Sequence, residues 1–197
     1  STGTLGSAGA TTVTFGYDRV DKGGNTTYIA GRYFGFFDTS GISASDNVTS
    51  AKITINRSSA QGNEFVAIIL KSDAFGGDGG TALIADDYNN LDFSTAYSSA
   101  VTIADVIGTT EFTLNSTAIT DIKNNNVFIC AFIDHTHDFS NSDPGAGVNA
   151  AESGIFNTGD VTTTAKPKLT IETANLPANT KITSGLIKLT SGLVRIS

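Results

Sequence analysis

The chain has 197 residues, 39% of them hydrophobic and only 16% charged, with a formal net charge of −7. That length can bury a substantial single core, and the apolar share excludes a disordered composition. An acidic balance argues against nucleic-acid binding, the absence of an 18-residue apolar run argues against a membrane-spanning helix, and 28 Thr, 19 Ser and 21 Gly argue against a helical protein.

Residues 1–10 read as an N-terminal arm. They lack the basic and apolar stretches of a signal peptide; loss of an initiator Met or cleavage of a longer leader would each fit. From there the dominant period is two. Residues 11–17 alternate, with Val13, Phe15 and Tyr17 on one face. Residues 28–38 are aromatic-rich. After a turn at 38–41, residues 48–57 put Ala51, Ile53 and Ile55 on one face. Residues 64–71 hold an unbroken apolar run, short enough for a core strand. Loops at 72–80 and 86–100 follow. Residues 111–115 pair Phe112 with Leu114. Asn115 and Ser116 then predict the cap of a short helix over 117–123, with Ala118, Ile119 and Ile122 inward. Asn124 to Asn126 would end it through a left-handed Asn. Residues 127–134 read as a second core strand, 139–153 as a long loop and 168–172 as a closing strand. Clusters of Gly, Asn, Asp, Ser and Pro separate these segments. The prediction is an all-β protein: an antiparallel jelly-roll sandwich of about eight strands over 11–173, with one short helix. A linker at 174–180 and a C-terminal tail at 181–197 complete it.

Three stretches resemble the DNRLRE-type jelly-roll domains of bacterial surface proteins, which are similar to carbohydrate-binding modules. The first is Arg32-Tyr33-Phe34-Gly35-Phe36-Phe37-Asp38 with the strand from Val48 to Ile55. The second is Phe112-Thr113-Leu114-Asn115, a helical turn and Val127-Phe128-Ile129. The third is Lys166-Pro167-Lys168-Leu169-Thr170-Ile171. Together they span about two thirds of the chain, without the six-residue signature that names the family. The resemblance implies a sandwich fold of the kind used by lectins, capsids and filament subunits.

Few residues suggest chemistry. Cys130, the only cysteine, lies in an apolar run and reads as a small buried hydrophobe. His135 and His137 are the only histidines; on an extended strand they would share a face and could ligate a metal, although the pair supplies just two ligands. The plainer reading is a polar strand end running into a loop. Asp73 and Asp78, on a Gly-rich loop, and Asp86, Asp87, Asn89, Asn90 and Asp92 in the next, offer oxygen ligands for calcium, although such loop residues are more often turn formers. Tyr17, Tyr28, Tyr33, Tyr88 and Tyr97 could stack on sugars, with Tyr88 and Tyr97 on loop segments as candidate glycan contacts. Sequons occur at Asn25, Asn47, Asn56 and Asn115. No catalytic residue is predicted, and no other cofactor.

The tail carries the one internal repeat, of period seven. Ile182, Leu186, Leu189, Leu193 and Ile196 follow coiled-coil spacing. Gly185, Gly192 and the β-branched content favour extended structure equally. Its last 17 residues hold Lys181, Lys188 and Arg195 and no acid, which leaves −10 on the first 180. Such a tail can dock on another copy through Ile182, Leu186, Ile187, Leu189, Leu193, Val194 and Ile196. The expected function is that of a non-enzymatic structural or interaction protein of an extracellular assembly. A phage virion component (capsid decoration, head fibre or tail protein) comes first. A cell-surface carbohydrate-binding module and a filament subunit joined by strand donation are the alternatives. The partners would be other copies, other virion proteins or a surface glycan.

Overall fold

The computed structural model describes residues 9–22, 25–143, 151–162 and 164–174. The predicted arm up to residue 8, the linker beyond Ala174 and the tail docking residues lie outside them. The described strands are β1 (Thr12–Lys22), β2 (Asn25–Gly31), β3 (Tyr33–Asp38), β4 (Val48–Gly62), β5 (Phe65–Ser72), β6 (Leu91–Ala96), β7 (Val101–Ile103), β8 (Gly108–Thr113), β9 (Val127–Asp134), β10 (Ala151–Asn157) and β11 (Lys168–Thr173). One α-helix, α1 (Ser116–Asn124), lies between β8 and β9.

These strands form two antiparallel sheets in a sandwich-like arrangement. The first runs β11-β4-β10-β1-β2. The length of β4 lets it take β11 along its first half and β10 along its second, with β8 on the opposite edge. The second sheet runs β3-β9-β5-β6, with β7 beside β6 on the same edge of β5. The predicted aromatic segment 28–38 is therefore not one strand: the chain leaves the first sheet after Gly31 and enters the second at Tyr33. Three strands, β6, β7 and β10, also exceed the prediction. β6 falls inside the stretch read as the 86–100 loop, β10 begins inside the 139–153 loop, and β7 follows a loop in a stretch given no element; their partly polar sequences show no sustained alternation.

Between the sheets Phe15, Ile53, Ile55, Phe65, Ile69, Phe112, Phe132 and Phe156 are buried. Phe15 meets Phe156 at 4.5 Å in a tilted pair and Phe65 at 5.2 Å edge to face, a favourable aromatic geometry. Alternate residues of β5 and β9 point away from this core, and these too are buried. Ile68, Leu70, Ala131 and Ile133 form a second cluster, covered by Phe34, Leu91, Ala96 and Phe139. Coverage on both faces is why these two strands read as continuous apolar runs. Cys130 is fully buried in the main core, and burial pushes its thiol far above the ordinary range.

Two devices fix the first sheet. Gly16 and Gly62 have φ of +127° and +100°, and a Cβ on either would run into the β10 backbone at Glu152 and Ser153. Only glycine permits that backbone and that approach. Arg57, 2% exposed, donates to the carbonyls of Ser59, Gln61, Asn63 and Ala104 and meets Asp105 at 3.4 Å. It ties the β4–β5 turn to the β7–β8 loop. Helix α1 agrees with the prediction: Asn115 Oδ1 accepts from the Ala118 amide at 3.1 Å, and Ala118 and Ile122 are buried. Its end differs, since Asn125 is extended rather than left-handed.

Candidate functional site

A polar cluster on the described chain forms where the chain crosses from β2 to β3. Arg32 occupies that crossing. Its guanidinium makes two parallel bonds of 2.8 Å to Asp138, and both side chains are only 9% exposed. It lies over the Tyr88 ring at 4.1 Å, beside Phe93 at 5.3 Å, and donates to the Tyr88 carbonyl. Tyr88 in turn donates its hydroxyl to the Ala30 carbonyl at 3.0 Å. One cation thereby joins the strand crossing, the loop before β6 and the turn after β9. Burial raises the Tyr88 pKa, and the neighbouring Arg32 opposes that shift.

Asp138 is held by the turn after β9, a single π-helical turn over His135–Phe139. Buried Asp134 starts it: its Oδ1 accepts from the amides of His137 and Asp138, while its Oδ2 has no hydrogen-bond partner. Loss of hydration raises the Asp134 pKa, only partly offset by those two amides. The turn excludes the extended geometry that a metal-binding His-X-His pair would need, and leaves a strand end running into a turn, as the plainer reading had it. The His135 ring stacks on Phe139 at 5.4 Å, whereas His137 packs on Tyr17 at 5.2 Å. His137 Nδ1 lies 2.9 Å from the Ser142 carbonyl, so it must be the donor there. The opposite nitrogen, Nε2, meets Glu152 at 3.2 Å. Among the described residues no group of three or more His, Cys, Asp or Glu side chains is placed to hold a metal.

The remaining predicted site residues lie apart from this cluster. Asp78 Oδ1 accepts the Gly80 amide at 2.7 Å, as a turn former does. The same role falls to Asp87, 3% exposed, which takes the amides of Phe75 and Ile84 and the Asn90 side chain. Asp73 lines a cleft of about 100 Å³ with Lys71, Tyr97 and Asp121. Tyr97 is a core residue, not a surface glycan contact: it is 2% exposed, packs on Phe128 at 4.9 Å and donates to Asp121. The β-branch-poor, Ser-rich segment around it carries no sign of that burial, which comes from α1 and β9. Of the two candidate glycan contacts, Tyr88 belongs to the cluster, with one ring face taken by Arg32.

Beside the Arg32 cluster the inner face of the β1–β2 hairpin carries Tyr17 and Tyr28, their ring centroids 6.0 Å apart. Tyr28 is 45% exposed and donates to Asp143 at 3.2 Å. Partial burial raises the Tyr17 pKa, followed in effect by Tyr28 and the carboxylates of Asp138, Asp143 and Asp134. Arg32, Phe93, Asp143 and Glu152 went unnoticed in the sequence, since each is an isolated residue whose partners lie far along the chain. The chain matches no family model, no curated protein and no solved structure.

Proposed function

We propose that this chain is a non-enzymatic structural and recognition protein of an extracellular assembly, with a virion component such as a capsid decoration, head fibre or tail protein as its setting. The proposed fold is a jelly roll. Its support is the nesting of strand pairs: β1 with β10, β3 with β9, β4 with β8, and β5 with β6 and β7. A long hairpin wound into two sheets pairs in that order. The observation that carries the functional reading is the Arg32–Asp138 clamp. Several ionisable groups at this end are committed to one another and to loop backbone: Arg32 to Asp138 and Tyr88, Asp134 to the turn amides, His137 to Glu152. They hold a surface in shape and leave aromatic rings displayed on it, which suits recognition. The acidic body and the basic, apolar tail add a means of joining copies.

Light scattering of the full chain and of a chain ending at Thr180, each with a thermal melt, tests the assembly. The full chain should form a defined oligomer and the shortened one a monomer with an unchanged melt. Equal masses would overturn tail-mediated assembly. Open polymers that survive dilution would replace the closed oligomer with a strand-donating filament.

A further inference from the structure

We propose that the Tyr17–Tyr28 pair is a binding platform for an uncharged glycan. The register places Tyr17 opposite Ala30 and Tyr28 opposite Arg19, so the two rings are diagonal neighbours on one sheet face. They are tilted by 36° and lie side by side, a shallow platform rather than a cage. The pair is braced at both ends. His137, its side chain 10% exposed and held by Ser142 and Glu152, supports Tyr17; Asp143 receives the Tyr28 hydroxyl.

A pyranose offers an apolar C–H face and a rim of hydroxyls. Aromatic faces take the first, and carboxylates accept hydrogen bonds from the second. Both are present here: the exposed Tyr28 ring beside the half-buried Tyr17 ring, with exposed Asp143 and the 38%-exposed Glu152 side chain at their ends. Sign of charge narrows the ligand. Glu152 and Asp143 are acidic, and Asp134 and Asp138 lie behind them; of the nearby cations, Arg32 is paired with Asp138, and Arg19, opposite Tyr28, is buried at 9% exposure. A uronate or sialic acid would meet repulsion, whereas a neutral hexose or N-acetylhexosamine would not. The inference rests on reading this end of the sandwich as a recognition surface. It is independent of the tail, so the glycan and assembly tests can fail separately.

The chain has five Tyr and no Trp, so tyrosine emission is not masked by Trp, and two of its five emitters lie in the platform. Full-length protein is titrated with cellohexaose, maltohexaose, chitohexaose, polygalacturonate and choline. Saturable binding to at least one neutral oligosaccharide is expected. Tyr28→Ala should weaken it about tenfold or more, and Tyr28→Phe by no more than about threefold. Ile107→Ala, on the exposed β7–β8 loop, should leave it unchanged. The proposal is overturned if no neutral oligosaccharide saturates the signal, if Tyr28→Ala binds as the unaltered chain does, or if polygalacturonate or choline binds more tightly.

Discussion

Replacing Asp138 by Asn tests the physical basis of the clamp. The substitution keeps the side-chain shape and one carbonyl acceptor. It removes the carboxylate charge paired with a guanidinium that is 9% exposed and bounded by the Tyr88 and Phe93 rings. Exposed ion pairs contribute about 0–1 kcal/mol. Stranding one partner of a buried pair costs about 3–5 kcal/mol. At this exposure we expect about 2–4 kcal/mol, read from the urea midpoint by circular dichroism at unchanged slope. A double-mutant cycle with Arg32→Met should give a coupling of about 1.5–3 kcal/mol. The double variant should be more stable than Asp138→Asn alone, because it leaves no unpaired buried charge. High salt should barely alter this coupling, while the coupling of Lys52 to Glu111, 41% and 50% exposed, should shrink. A coupling below about 0.5 kcal/mol, or one abolished by salt, would show that the pair behaves as a surface contact and would refute the clamp.

Other consequences are open to measurement. Arg57→Lys should destabilise by about 2–4 kcal/mol in urea, since an ammonium cannot reach the four carbonyls that the planar fork serves; an unchanged midpoint would count against that role. Asp134 has its pKa raised in the folded chain, so its contribution to stability is fully present below the ordinary Asp range and is lost as pH rises through the raised value. Relative to Asp134→Asn, the unaltered chain should therefore lose stability as pH rises above the ordinary Asp range, and the opposite slope would reverse the assignment. Cys130 should resist iodoacetamide in the native protein and react in urea; rapid native labelling would contradict its burial.

Much of the strand framework can be read from local pattern. Ala51, Ile53 and Ile55 alternate in sequence and are buried together on β4. Asn115 signals the start of α1 because capping involves residues three apart. Less could be read of the candidate site. His135 and His137 look alike in sequence, yet a carboxylate one residue before them turns the backbone and sends the rings to different neighbours. Tyr97 and Tyr28 are equally plausible surface rings on paper. One is enclosed by Phe128 and Asp121, and the other stands on a hairpin and is half exposed. β10 escaped notice because its ladder depends on Gly16 and Gly62, residues of two distant strands that leave it room.

The sequence by itself determined the β character, the main core strands, the helix cap and the acidic body with its basic tail. Each depends on composition or on residues within a few positions of one another. Only the tertiary structure decided that β5 and β9 are covered on both faces, that the aromatic segment is split between sheets at Arg32, and that Tyr17 and Tyr28 share a displayed surface. Arg32, Tyr88 and Asp138 are separated by 56 and 106 positions from the first to each of the others. No local periodicity records a contact of that range. It arises when two sheets pack and their crossings meet at one end, where burial turns an isolated arginine and an isolated aspartate into a single clamp.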